Sequence, residues 1–574
     1  MDRWSIDVTR ELIKAARGDQ RVDLLIRNAR LINVFSGEIY KEDVAVHKGV
    51  VVGFGNYKAE KILDLKGKYL APGFIESHIH LESSLLSVTE FSRAVVSRGT
   101  TTVVADPHEV ANVLGLDGMK YMLESSKYQP ITLYFTLPSA VPASLSLETS
   151  GAHLTGEDLK PLFSQKWVVG LGEVMNYPDV ISLSKDTLNK LEMADDKTIE
   201  GHAPGLTGKN LSAYLVSGIR SDHESFLLEE AREKLRKGMV IMIREGSIAH
   251  NLKTLIPLVN KNNSFRFILV SDDRHPIELY EKGHLDYTLR EAIKQGVPAL
   301  DAIRMVTINP SLYFNLKNIG AIAPGYWADM VVLSDLAKLR IEKVFKKGKE
   351  VFSDGRFLWK ERPKKVFVRS SINIKWLEQK DLIFPAAARK ARVIRIVPGE
   401  LITEEEIHTV KTDGRFVMSD TSRDILKLLV IERHRASGNI GKGLVRGIGL
   451  KKGAIAQSIA HDTHNIIACG VDDESIFTAV SEIVRMGGGI AAAYRSRVTA
   501  KLPLPIAGLM TDMKLEKVVK KFNSLLEAAK ELGSKLEDPY MNLSFLALPV
   551  IPKLKLTDKG LVDAEHFKIV NLFL

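Results

Sequence analysis

Leu70-Ala-Pro-Gly-Phe-Ile-Glu-Ser-His-Ile-His-Leu-Glu-Ser-Ser84 is the stretch whose reading decides the fold. Pro72-Gly73 breaks one element and admits the chain abruptly into the next, an extended run in which residues i and i+2 project to the same face. His78 and His80 therefore converge, and two imidazoles so placed at a strand end can grip one metal ion. With 15 histidines in 574 residues, a chance His-x-His pair is an ordinary event. The alternative is a solvated pair, so the reading turns on what stands at the ends of the other strands.

Seven more apolar or β-branched runs follow, each ending in a residue able to bind metal, take a proton or hold a polar ligand. Thr100-Thr-Thr-Val-Val-Ala105 ends at Asp106, with His108 and Glu109 beyond, and Thr132-Leu-Tyr-Phe-Thr-Leu137 precedes Pro138-Ser139. Trp167-Val-Val-Gly-Leu-Gly172 ends at Glu173, and a fifth run spans Thr198 to His202. Val216-Ser-Gly-Ile-Arg-Ser221 reaches Asp222-His223-Glu224, Met239-Val-Ile-Met-Ile243 leads to Arg244-Glu245, and Phe265-Arg-Phe-Ile-Leu-Val-Ser271 leads to Asp272-Asp-Arg-His275. Helix-like stretches such as Ser225 to Lys237 lie between them. Alternating strands and helices argue for a parallel sheet, and eight such units with polar residues at the carboxyl ends predict an α/β fold, a (β/α)8 TIM-like barrel with its chemistry on that face. Taken singly, Glu173 could be a surface acid and His202 or His223 a satisfied core histidine. In step with eight strands, that explanation weakens.

The flanks read as two halves of one small β-sandwich. Val22-Asp-Leu-Leu-Ile26, Val44-Ala-Val46 and Val50-Val-Val52 precede the barrel; Trp327-Ala-Asp-Met-Val-Val-Leu333 and Lys343 to Phe352 follow it. The expected organisation is residues 1–68 for an amino-terminal segment and the first half-sandwich, 69–319 for the barrel, 320–370 for the second half and 371–574 for a separate C-terminal α/β domain. In that last part Asp424 to Arg435 and Leu515 to Lys535 look helical and Arg392 to Val397 strand-like. Its informative stretch is Ser458-Ile-Ala-His-Asp-Thr-His-Asn465. His461, Asp462 and His464 have ligand chemistry, though a local turn with capping by Asp462 and Asn465 is an equal reading. Gly487-Gly-Gly489 lacks a following Gly-Lys-Ser/Thr, so a tight turn is preferred to a phosphate loop.

Composition excludes several classes. The chain is 45% hydrophobic and 26% charged, enough to bury large cores. One cysteine, Cys469, rules out an intramolecular disulfide and the Cys-x-x-Cys zinc site of the base-flipping deaminases, and it suggests a reducing, cytoplasmic setting. No signal-peptide core or membrane-length apolar run is found, so no membrane is expected as a partner. The net charge of +10 raises a nucleic-acid role as a different-class alternative. Its densest cluster, Lys343 to Lys365, has acids interspersed and reads better as a solvated face, so no nucleic acid is expected.

The Pro-Gly-Phe-Ile-x-x-His-x-His entry, the strand-end ligands and the closing Ala328-Asp-Met-Val-Val-Leu333 resemble the amidohydrolase superfamily of metal-dependent hydrolases. Within it, Pro107-His-Glu-Val-Ala-Asn112, Pro138-Ser-Ala-Val-Pro-Ala143, Glu148-Thr-Ser-Gly-Ala152, Gly172-Glu-Val-Met-Asn176, Gly201-His-Ala-Pro-Gly205, Ser221-Asp-His-Glu224, Arg244-Glu-Gly-Ser247 and Asp272-Asp-Arg-His-Pro276 are similar to the adenine deaminase family. The likeness runs over almost the whole chain and includes the His461 to His464 pattern. Ala140 stands where that family's Pro-Ser-x-Val-Pro segment would carry a cysteine.

The resemblance implies a pair of divalent metal ions, one held by His78 and His80 with Asp272, the other by His202 and His223, with Glu173 bridging where many relatives use a carbamylated lysine. Asp273 is the neighbouring alternative to Asp272. Manganese or iron is favoured by the resemblance, and zinc is compatible with the ligands. It further implies hydrolysis of adenine to hypoxanthine and ammonia in purine salvage, with hydroxide attacking C6. Asp272 is the expected base. Glu109 and His108, with Glu245 behind them, are candidates for the acid that protonates the ring, or for groups that orient the ligands. Arg244, Ser247 and Arg274 are candidates for binding the ring, or for structural ion pairs. Another cyclic amide or amidine is the same-fold alternative substrate, and a homo-oligomer is expected from size and family.

Overall fold

The computed structural model describes residues 4–247, 250–361, 363, 365–397 and 400–574. Met1-Asp-Arg3, and Arg362 and Lys364 of the basic cluster, lie outside the described residues.

Eight parallel strands form the centre. β1 (Phe74–Ile79), β2 (Thr100–Ala105), β3 (Thr132–Leu137), β4 (Val168–Val174) and β5 (Thr198–Gly201) pair in chain order in one arc. β6 (Ser221–Asp222), β7 (Val240–Arg244) and β8 (Phe267–Val270) form the other. The arcs meet at both seams. Arg220 N–H donates to the Ile199 carbonyl at 3.2 Å; Asp272 N–H donates to His78 O and His80 N–H to Asp272 O, each at 3.0 Å. The ring of strands is thus closed, and its interior is packed by Ile75, Val104, Tyr134, Val240, Met242, Ile268 and Val270. Tightly filled below, the barrel can present chemistry only at its rim.

One strand differs from expectation. Val216 closes the helix Gly208–Val216 and is exposed, and Gly218 turns the chain at φ +100°, leaving only Ser221–Asp222 in the sheet. Val216-Ser-Gly is a helix exit and turn, not strand; the glycine is the local cause, since it enters positive φ without a Cβ clash.

The flanking segments join in a single sheet of nine strands. Met330–Leu333 pairs antiparallel with Tyr69–Pro72, so chain after the barrel is stitched directly to the strand that leads into it. The far edge curls back: Val51 N–H donates to Tyr326 O and Ala328 N–H to Gly49 O, both at 2.8 Å. Leu24, Ile26, Leu31, Val46, Met330, Val332 and Phe345 fill the enclosed core.

Residues beyond the flanking sheet build an eight-stranded, mostly antiparallel sheet with helices Asp473–Met486 and Leu515–Glu531 against it. Lys390–Ile396 is a strand and Leu515–Glu531 a helix, as their patterns predict. Asp424 to Arg435 is not a helix. Ile425–Ile431 is a strand inside this sheet, paired on one side with Ile440–Arg446 and on the other with Ile466–Gly470, and all seven residues are buried. A strand covered on both faces loses the period-two alternation that would have identified it, and its leucines then mimic a helix. Asp424 itself sits at φ +57° and accepts the Gly447 and Gly449 N–H groups at 2.9 Å.

Among the described residues no helix is long and apolar enough to cross a membrane.

Candidate metal centre and active site

The strand ends deliver six side chains to one place. His78 and His80 lie on either side of Ile79, the last residue of β1; Glu173 is near the end of β4, His202 and His223 directly follow β5 and β6, and Asp272 is two residues past β8. Glu173 is central. Its Oε1 lies 3.1 Å from His80 Nε2, and its Oε2 lies 2.5 Å from His202 Nδ1 and 3.1 Å from His223 Nε2. Asp272 Oδ1 faces His80 Nε2 at 3.2 Å and His78 Nε2 at 3.6 Å. Asp272 holds φ +61°, a left-handed conformation kept by its two hydrogen bonds to β1.

Such a cluster suits divalent metal. The ligand atoms of His78, His80 and Asp272 lie within 4.8 Å of one another, as do those of His78, Glu173 and His223. His78 Nε2 and His223 Nδ1 are buried with no hydrogen-bond partner among the described residues. A dry imidazole nitrogen facing a carboxylate, as His78 Nε2 faces Asp272, is costly without a cation and well used with one. Burial pushes the Glu173 carboxyl up, but His202, His223 and His80 outweigh it and hold the group well below the usual carboxylate range. Asp272 is likewise held low against burial, by Arg244 and by His78 and His80.

Further residues orient these ligands, and sequence reasoning overlooked several. Glu200 Oε1 sits 3.1 Å from His78 Nδ1, which leaves Nε2 facing the cluster. His80 Nδ1–H donates to the Asp106 carbonyl at 3.1 Å, and Asp106 Oδ2 accepts the Glu173 N–H at 3.3 Å. A Cβ on Gly172 would come within 2.1 Å of that Oδ2, so glycine lets β4 approach the aspartate. Glu224 and Asp272 both pair with the Arg244 guanidinium, whose Nη2 reaches Glu224 Oε2 at 2.8 Å. Glu200 was open to detection: it precedes His202 by two, the spacing that links His78 to His80.

The remaining expected residues are placed as follows. His108 lies between two carboxylates, with Nδ1 3.7 Å from Glu173 and Nε2 3.7 Å from Glu109. Asp273 is buried beside Asp272, and burial together with that neighbouring charge raises its carboxyl to about 6. Arg244 reaches the cluster as the ion-pair partner of Glu224 and Asp272. Arg274 and Ser247, expected on the substrate, are engaged elsewhere. Arg274 donates to the carbonyls of Gly283 at 3.0 Å and Glu245 at 3.2 Å and lies over the Tyr287 ring. The Ser247 hydroxyl donates to Glu278 and accepts the His275 N–H at 2.8 Å. Both shape the turn after β8. Glu245 pairs with His250, away from the ligands.

The segment from Ser458 to Asn465 enters the barrel mouth. His461 Nδ1 lies 2.8 Å from Glu109 Oε1, and His464 Nε2 contacts Glu109 Oε2. The His461 ring stacks on Phe545 at 4.4 Å, and buried Arg433 ties the segment down through the His464, Ser458 and Ala507 carbonyls. Asn465 Nδ2 donates to the Thr149 carbonyl at 2.9 Å, a second link to the barrel.

Comparison with known proteins agrees with this architecture. The amidohydrolase family model matches residues 69–351, and a model described as the adenine deaminase C-terminal domain matches residues 400–568. An adenine deaminase of Desulfatibacillum aliphaticivorans is 47% identical over 570 residues, covering 98% of this chain and 99% of that one. One from Dehalococcoides mccartyi is 46% identical over 564 residues, with 98% of each chain covered. The protein called adenine deaminase 2 of Carboxydothermus hydrogenoformans is 44% identical over 567 residues, 98% of this chain and 99% of that one.

Proposed function

This chain belongs to the adenine deaminase family of amidohydrolases, and from that premise we propose that it hydrolyses adenine to hypoxanthine and ammonia. The observation that carries the reading is the convergence of His78, His80, His202, His223 and Asp272 on Glu173 at the rim of a closed barrel.

The residues fit two divalent ions, with His78, His80 and Asp272 on one, His202 and His223 on the other, and Glu173 between. When bound, such ions lower the pKa of coordinated water by many units and so supply a nucleophile at neutral pH. Four imidazoles with carboxylates and no thiolate suit manganese or iron, the metals we favour, as well as zinc. Asp272, oriented by Arg244, takes the proton of the attacking water and passes it to the amine leaving C6. The Glu109 carboxyl, which His461 and His464 hold well below the usual range against burial, relays a proton from the His461 or His108 imidazolium beside it to a ring nitrogen as the aromatic system is lost. Glu200, Asp106 and Glu224 hold the ligands in register. We assign residues 69–319 to catalysis and residues 371–574 to a cover over the barrel mouth. A homo-oligomeric enzyme of purine salvage in the cytoplasm completes the proposal, supported by the single, buried Cys469.

A nucleic-acid role is not favoured. The basic cluster is internally paired: Lys343 with Glu350 at 2.8 Å, and buried Lys346 with Asp329 at 2.6 Å.

The test is ammonia release from adenine, with adenosine and a cyclic amide in parallel, by metal-stripped protein reloaded separately with manganese, iron or zinc. Turnover of adenine alone, restored by metal, is the expected result. Silence on adenine with turnover of another ring would overturn the substrate while keeping the barrel chemistry.

A further inference from the structure

Between the barrel mouth and the C-terminal domain lies a cavity lined by Glu109 and Asp273 of the barrel and by Gln457 and Tyr540 of the C-terminal domain. Leu85, Ile459, Ile490, Leu509 and Phe522 make much of its lining apolar. A flat heteroaromatic ring is the kind of ligand such a slot takes, provided its few polar atoms are met.

Polar residues interrupt the apolar lining, Glu82 and Gln457 among them. Glu82 Oε1 accepts the Val110 N–H at 3.1 Å, whereas its Oε2 is buried with no hydrogen-bond partner among the described residues. This residue follows His80 by two and belongs to the metal side. Gln457, from the C-terminal domain, is 2% exposed and donates Nε2–H to the Tyr540 carbonyl at 2.8 Å. That bond fixes the amide, because only its NH2 end can donate to a carbonyl. With Nε2 committed to Tyr540, the carbonyl end, Oε1, is the end of the amide left to meet a ligand in the cavity that Gln457 lines. A carbonyl acceptor set among apolar side chains is a site that a ligand N–H can pair with.

The rest follows from adenine's own chemistry, and so rests on the function proposed above. The exocyclic amine is attached to the carbon under attack and is committed to the metal side. N1 and N3 are acceptors. The donor left on the free base is the N–H of its five-membered ring, and a sugar or alkyl group at N9 removes it. We propose that Gln457 accepts this ring N–H and is the specificity-determining residue that separates adenine from its N9-substituted derivatives. Sites built to hydrogen-bond a substrate N–H reject analogues lacking it far more strongly than apolar pockets reject an extra methyl, because the buried acceptor is then unpaired.

The experiment compares kcat/KM for adenine and 9-methyladenine in the metal-loaded wild type, Gln457→Leu and Gln457→Met. Wild type is expected to prefer adenine by at least about 100-fold. In both variants adenine should lose about 10- to 100-fold, mainly through KM, while 9-methyladenine holds or improves, so the preference shrinks. A wild type that turns over both bases equally, or variants that lose adenine activity with the preference unchanged, would overturn the assignment; the wild-type ratio decides even if a variant fails to fold. No ammonia from adenine with any metal would instead remove the substrate reading itself, and this assignment with it.

Discussion

Two histidine–carboxylate clusters stand side by side in this molecule, one around Glu173 and one around Glu109, with His108 between them at 3.7 Å from each. They use the same chemistry and are assembled in opposite ways. The Glu173 cluster is drawn from the ends of β1, β4, β5, β6 and β8, so closing the barrel is enough to form it. The Glu109 cluster joins a barrel residue to His461 and His464, more than 350 positions away in the chain, and forms only when the C-terminal domain docks. The first can form from the barrel alone, and the second needs the C-terminal domain at the barrel mouth.

Substitutions can break this contrast. Glu173→Gln removes the carboxylate common to both metal positions; we expect activity to fall about 10³-fold or more, together with loss of bound metal by elemental analysis. A variant that keeps its full metal content would refute the central place given to Glu173. Glu109→Gln should lower kcat by about 10² to 10⁴, the usual worth of a positioned acid, with metal content unchanged; metal loss here would merge the two clusters into one. For His464→Ala the expectation is a loss of about 10- to 100-fold, in kcat more than in KM and again at full metal content, since the imidazole acts by holding Glu109. Wild-type rates would make the C-terminal domain a bystander. The smallest effect is expected from Glu200→Gln, which loosens His78 and should weaken metal affinity by about tenfold, read by chelator competition at constant fold.

The same contrast explains what was legible beforehand. Most barrel strands are short and apolar and lead to a polar residue, so the repeat itself announces strand, end and candidate site. Glu200 escaped notice because it precedes the strand's last residue, although its spacing from His202 repeats that of His78 and His80. Val216 misled because a β-branched residue at a helix end resembles the start of a strand. Asp424 to Arg435 misled more deeply: Ile425–Ile431 owes its extended form to partners on both sides, which local preference cannot register. Arg274 and Ser247 have the right chemistry for a substrate; Arg274 Nε and Nη1 bond the Gly283 and Glu245 carbonyls, and Ser247 bonds Glu278 and His275.

By itself, the amino-acid sequence pointed to the barrel and to the polar residues at its strand ends, because strand periodicity is local and the carboxyl end of every strand in a closed barrel faces the same mouth, while the family resemblance singled out six of them as ligand candidates. Tertiary structure alone decided that His461 and His464 clasp Glu109, that Arg433 anchors their segment, and that Gln457 lines the same cavity with its amide nitrogen tied to Tyr540. These are contacts between elements distant in the chain, and the forces that select them, burial of apolar surface and the demand that every dry polar group find a partner, act only after the domains have packed.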